Sequence, residues 1–161
     1  MEVTTIKNIL DPELVESIED TILYSIPHVF GHTTIIGTPK KLKVRRWYSQ
    51  DIGIEQPMIL FIIKKLKKHF NFKKVTRVYT NIQHPGMDGY WHVDDGDYTI
   101  ILMLSKTLNK GEGCLQIKKD KVKNYSFEQN KAIGFNSKLQ HRALAPKTLG
   151  EIRVTMAFKT I

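Results

Sequence analysis

Cysteine is nearly absent from this sequence, with Cys114 alone among 161 residues. One thiol cannot close an internal disulfide or build a thiolate metal cluster, so zinc-ribbon and iron–sulfur chemistry are excluded and a reducing, cytoplasmic compartment is expected. Long apolar runs are lacking as well. The longest near the middle, Met58 to Ile63, falls far short of the roughly 20 residues a membrane span needs. Met1 to Leu10 carries no signal-peptide pattern, which predicts a soluble chain with no membrane partner. Acidic side chains are scarce beside basic ones: 16 Asp plus Glu against 25 Lys plus Arg give a formal net charge of +9. That balance favours anionic partners, nucleic acid among them, without specifying one. No repeat, low-complexity tract or linker divides the chain, so one domain over 1–161 is expected.

What is present is ordinary for a globular protein: 41% hydrophobic and 25% charged residues, enough to form a core. Asp11-Pro12 reads as a helix start, with a short helix running to about Tyr24. Pro57 opens a second helix in which Ile59, Ile62, Ile63, Leu66 and Phe70 recur at three- and four-residue steps. Lys64, Lys65, Lys67 and Lys68 mostly fall off that stripe, which favours a solvated face, with a nucleic-acid footprint as the alternative. Between the helices lie a second basic cluster (Lys40, Lys41, Lys43, Arg45, Arg46) and possible strands around Thr33 to Gly37 and Leu42 to Trp47. Trp47 and Tyr48 either line a substrate entrance or join the core.

From Lys74 the texture changes to short β-type runs: Val75 to Gln83, Tyr90 to Asp94, Tyr98 to Ser105, Cys114 to Lys118, Ala132 to Phe135 and Ile152 to Thr160. Pro85-Gly86, Asp95-Gly96, Gly111-Glu112-Gly113 and Asn136-Ser137 punctuate them. No helical pattern intervenes to make parallel crossovers, which predicts an antiparallel sandwich or jelly roll. The fold class is therefore mainly β with flanking N-terminal helices (α+β). Helical support is expected over about 1–73 and a jelly-roll core over about 74–161.

Within the second run, His92 and Asp94 are two residues apart; on a strand they would share a face about 6.6 Å apart. Imidazole plus carboxylate is two-thirds of the two-His-one-carboxylate set that grips one side of a metal and leaves other positions open. His141, just after a later strand, is the candidate third ligand, since antiparallel strands bring such distant positions together. His28, His32, His69 and His84 lack comparable company. Taken alone, His-x-Asp is also what an ordinary polar surface pair looks like.

Alternation along the last run places Ile152, Val154, Met156 and Phe158 on one face and Arg153, Thr155 and Ala157 on the other. With the apolar face on the helices, Arg153 points into the roll, where a carboxylate ligand would suit it; the alternative is an edge arginine facing water. The same parity in Val75 to Gln83 sets Tyr79, Asn81 and Gln83 opposite Val78, Thr80 and Ile82. Tyr79 and Asn81 could hydrogen-bond a dicarboxylate, or simply be satisfied by backbone.

His92-Val93-Asp94, then His141, then Arg153, together with Arg77 to Asn81, Gly111 to Leu115 and Gly150 to Val154, resemble the iron(II)/2-oxoglutarate dioxygenase superfamily. The likeness covers about Lys74 to Lys159 and is nearest to the prolyl-hydroxylase-like branch. It implies a double-stranded β-helix of cupin-like form. His92, Asp94 and His141 would hold Fe(II), and Arg153 would clamp 2-oxoglutarate beside Tyr79, Asn81 and Thr155. Dioxygen would be the other cosubstrate, with succinate and carbon dioxide released as a C–H bond is hydroxylated. The implied substrate is a peptidyl proline or another protein side chain, with a nucleobase or small metabolite as alternatives. Asn81 matches the nucleic-acid alkylation-repair branch, but Gln83 stands where that branch has tyrosine and its downstream arginine is missing, so base repair ranks lower. Outside enzymes, the same side chains could form a metal-binding jelly roll without turnover.

Overall fold

The computed structural model describes residues 3–33 and 45–161. Lys40, Lys41, Lys43 and most of the two strands expected around Thr33 to Gly37 and Leu42 to Trp47 lie outside those residues; within them, Trp47 begins a strand.

Two helices form where the proline signals place them. The first, α1 (Pro12–Tyr24), has proline in its first turn; the Asp11 carboxylate makes no capping bond and sits exposed, 3.6 Å from Lys65. The second, α2 (Pro57–Leu66), stops short of Phe70, which is still buried just beyond it. Val15, Ile18 and Ile22 of α1 and Ile59, Ile62 and Leu66 of α2 are buried in one shared core. Lys64, Lys67 and Lys68 are exposed, as a solvated face requires.

Among the described residues, ten strands make two antiparallel sheets. The larger contains β1 (Thr4–Lys7), β2 (Val29–His32), β3 (Trp47–Ile52), β4 (Val75–Gln83), β5 (Tyr98–Met103), β8 (Lys131–Asn136) and β10 (Arg153–Thr160), in the order β1-β8-β5-β10-β4-β3-β2. The smaller contains β6 (Leu115–Lys118), β7 (Val122–Tyr125) and β9 (Gln140–Ala143), in the order β7-β6-β9. Alongside its helices the N-terminal segment thus supplies three strands to the larger sheet.

The parity expected of β10 holds. Val154, Met156 and Phe158 face the helices, while Ala157 joins Ile101, Met103, Ile133 and Phe135 in a second core closed by Leu115 and Ile117 of the smaller sheet. Val78 and Ile82 of β4 share the helix-side core and Tyr79 the inner one. This is the jelly roll that the alternation predicts, with one cluster outside the larger sheet and one between the sheets.

Tyr90 to Asp94 does not form the expected strand. Only His92 pairs, in a single bridge to His141 with backbone bonds of 3.1 and 2.9 Å. Two residues on, the Asp94 amide bonds to the Ser137 carbonyl at 2.9 Å, four positions before His141, so the ladder breaks after one rung. The turn that follows depends on Gly96, whose φ of +79° is left-handed and whose missing Cβ would lie 2.8 Å from the Thr160 carbonyl oxygen. Gly96→Ala is expected to cost about 1 to 3 kcal/mol, because it combines backbone strain with a clash against fixed main chain. An unchanged urea midpoint would show that the turn relaxes freely.

Candidate functional site

The broken ladder brings together side chains that a regular strand would hold apart. His92 Nε2 lies 3.5 Å from Asp94 Oδ1, and His141 Nε2 lies 3.1 Å from Asp94 Oδ2. The ligand atoms of the three residues fall within 4.8 Å of one another, the one such His/Asp/Glu/Cys group among the described residues. The imidazoles are 4.2 Å apart between ring centres, and Phe135 packs edge-on against His141 at 4.6 Å.

Both rings are oriented in the same way. His92 Nδ1 is 2.9 Å from the Tyr90 carbonyl, and His141 Nδ1 is 2.9 Å from the Leu139 carbonyl, each two residues back in the chain. A carbonyl only accepts, so a hydrogen sits on Nδ1 and Nε2 is the atom turned inward towards Asp94, where its lone pair would meet a cation once that nitrogen carries no proton. Such outer bonds fix tautomer and direction in metal-ligating histidines. Burial pushes the Asp94 carboxyl upward, but the imidazoles of His141 and His92 and the Lys159 ammonium outweigh it and hold it well below the usual carboxylate range. Nε2 of both rings and the Asp94 carboxylate therefore converge on one point, an arrangement suited to a cation.

Lys159 escaped the sequence reading, although it continues the alternation of Arg153, Thr155 and Ala157 by one more step. Its side chain is buried and ion-paired to Asp94 Oδ2, with the Tyr79 ring 5.5 Å away. Burial pulls its pKa down, an effect that Asp94 opposes. Thr99 was also missed: its Oγ1 donates to Asp94 Oδ2 at 2.9 Å and lies 3.0 Å from Ser137 Oγ.

One cavity is lined by the three candidate ligands and by Tyr79, Asn81, Gln83, Arg153 and Thr155. Arg153 is 1% exposed. Its Nε donates to the Gly113 carbonyl at 2.9 Å, and one terminal nitrogen donates to Gln83 Oε1 at 2.7 Å and, more weakly, to Thr155 Oγ1 at 3.5 Å. The other terminal nitrogen is buried without a partner. Burial pulls the guanidinium down to about 10, so it stays charged at neutral pH. An unpartnered cationic donor on a side chain that lines a cavity is the fit expected for a carboxylate guest. Gln83 thus holds Arg153 in place, and Gly113, at φ +61°, presents its carbonyl from the predicted Gly111-Glu112-Gly113 turn.

Tyr79 is driven upward by burial, reinforced by Asp94, and remains a neutral hydroxyl. Asn81 Oδ1 accepts from Trp47 Nε1 at 3.1 Å, leaving its amide hydrogens for other partners. Trp47 is buried and lines the same cavity, so the two roles weighed for it coincide, whereas Tyr48 packs tilted against Phe30 and edge-on to His84. His32, set aside in the sequence, also reaches the cavity wall, 5.3 Å from Trp47 between ring centres. Burial, reinforced by Arg77, pulls its pKa down. Next to the candidate ligands in the chain, Arg142 lies over Trp91 at 4.8 Å and Arg45 over Tyr90 at 5.3 Å, while Val93 is exposed.

No family model matches the chain, and no curated protein matches it in sequence. Solved structures do match in fold. A prolyl hydroxylase of Trichoplax adhaerens, in complex with a peptide fragment of the hypoxia inducible factor oxygen degradation domain, superposes with a TM-score of 0.72 at 15% identity, over 98% of this chain and 83% of that one. A Pseudomonas putida prolyl-4-hydroxylase gives 0.71 at 12% identity, over 99% and 92%. The viral collagen prolyl hydroxylase of Paramecium Bursaria Chlorella virus-1, as its 2-oxoglutarate complex, gives 0.70 at 14% identity, over 98% and 94%. The chain therefore has the jelly-roll fold of the 2-oxoglutarate/Fe(II) oxygenases. Among the described residues, no helix is long and apolar enough to cross a membrane.

Proposed function

We propose that this chain is an Fe(II)- and 2-oxoglutarate-dependent oxygenase that hydroxylates a C–H bond, with a protein side chain, peptidyl proline first, as the favoured substrate. The observation that carries the reading is the pairing of two features in one cavity. Three inward lone-pair donors suit a divalent cation, and beside them the buried guanidinium of Arg153 has one nitrogen with nothing to bind. His92, Asp94 and His141 would hold the iron, which with 2-oxoglutarate and dioxygen supplies the oxidation: one oxygen atom enters the substrate, the other succinate, and carbon dioxide leaves. Arg153 neutralises and aims the distal carboxylate of 2-oxoglutarate, held in turn by Gln83 and the Gly113 carbonyl. Thr155, Tyr79 and Asn81 add neutral hydrogen-bonding groups around it. Trp47 and the apolar wall of Ile101 and Leu115 limit water. A protein substrate is supported by the Trichoplax adhaerens relative, whose structure contains a peptide.

Fe(II)-dependent conversion of 2-oxoglutarate to succinate is the expected activity, slow without substrate and faster when the substrate is present. Binding of Fe(II) with no succinate formed under any peptide or nucleic-acid challenge would favour a metal-binding module without turnover.

A further inference from the structure

The two oxygens of Asp94 have different surroundings. Oδ2 accepts from Thr99 Oγ1 at 2.9 Å, lies against the Lys159 ammonium and has His141 Nε2 as a further neighbour at 3.1 Å. Oδ1 accepts no hydrogen bond among the described residues and has His92 Nε2 as its neighbour at 3.5 Å. A carboxylate oxygen offers about two lone-pair directions, so Oδ2 is fully engaged and Oδ1 is not. Lys159 is 6% exposed, and the ion pair with Asp94 is its one polar contact among the described residues. An ammonium at that depth is costly, and an apolar side chain would fill the same space more cheaply. Its placement therefore calls for a reason beyond packing.

We propose that Lys159 is a positioning residue which, with Thr99, keeps Asp94 Oδ2 out of the metal's coordination shell, so that Asp94 binds a divalent cation through Oδ1 alone. The inference rests on the oxygenase reading. Three protein donors then take three of six positions around the ion, leaving two for a chelating 2-oxo acid and one for dioxygen. A carboxylate free to swing onto the ion with both oxygens would occupy a fourth position and compete with the cosubstrate.

The test uses the full chain, Mn(II) and 2-oxoglutarate with Lys159→Met, Lys159→Arg and Thr99→Val. Isothermal titration would measure Mn(II) binding and then 2-oxoglutarate binding to the Mn(II) form, and crystal structures of the Mn(II) forms would show which oxygen is bound. Wild type and Lys159→Arg should bind through Oδ1 alone. In Lys159→Met and Thr99→Val both oxygens should reach the ion, with Mn(II) affinity held or raised and 2-oxoglutarate affinity lowered about tenfold, in the range of outer-contact losses. Thr99→Val, a near-isosteric change, carries the test if Lys159→Met does not fold. Wild-type binding through Oδ2, or single-oxygen binding through Oδ1 persisting in both variants, overturns the proposal while leaving the oxygenase reading standing. Wild type that takes up Mn(II) but no 2-oxoglutarate overturns the oxygenase reading, and the bound oxygen still decides the role of Lys159. Wild type that takes up no Mn(II) overturns both.

Discussion

Asp94→Ala and His92→Ala are each expected to reduce Fe(II)-dependent succinate formation to background, and the two variants should differ sharply in stability. Each removes one of the three proposed donors, so Fe(II) or Co(II) titration should show binding lost together with turnover. His92 is partly exposed and its loss frees little beyond the Tyr90 carbonyl, leaving the fold nearly as stable as before. Asp94 is the counter-charge of buried Lys159, and removing one partner of such a pair costs up to about 3 to 5 kcal/mol. The sign of the pH dependence follows from Lys159. Its folded pKa already lies below the ordinary lysine value of 10.5, chiefly through burial, and loss of Asp94 lowers it further. Between the folded and unfolded values the unfolded chain binds more protons, so Asp94→Ala should gain stability relative to wild type as pH rises towards that ordinary value. Adding Lys159→Met should restore most of the loss at neutral pH. Full activity in either single variant, or metal binding that survives both, would remove these residues from the site.

How far the site was legible follows from which signals are local. Strand parity is local, and it puts Arg153 and Thr155 of β10 and Tyr79 and Asn81 of β4 each on one face of its strand, the face that lines the cavity. The same rule extended to Lys159 would have found it, but a lysine near the end of the last strand reads as solvent-facing when its partner is distant in sequence. Other features arise only from contacts between segments. The break after the His92 bridge comes from the turn between β8 and β9 capturing the Asp94 amide through Ser137, which no pattern within Tyr90 to Asp94 announces. It replaces the even spacing of a strand with direct contact between the carboxylate and both imidazoles. Short strands such as β1, β7 and β9, four residues each, carry too little alternation to be read. His32 lay in a segment of scattered glycine and proline, and only the pairing of β2 with β3 turns it toward the cavity.

Arg153→Ala should weaken 2-oxoglutarate binding by about 2 to 4 kcal/mol, which is about 30- to 700-fold in Kd. The guanidinium is fixed before any ligand arrives: Gly113 and Gln83 take two of its nitrogens, and Phe127 lies 5.3 Å from its centre. Binding therefore spends little on ordering the side chain, and the remaining nitrogen meets a carboxylate in a site shielded from water, where charge-assisted bonds are strong. Arg153→Lys should recover only part of the loss, because an ammonium keeps the charge but cannot bond to Gly113, Gln83 and the ligand in the same fork geometry. Gln83→Leu should fall between wild type and Arg153→Ala, since it leaves the charge in place but frees the nitrogen that Gln83 directs. In all three variants Mn(II) affinity should match wild type, because the proposed metal donors lie on His92, Asp94 and His141. Titration of 2-oxoglutarate into the Mn(II) forms separates the two roles, and an unchanged Kd in Arg153→Ala would place the distal carboxylate elsewhere in the cavity.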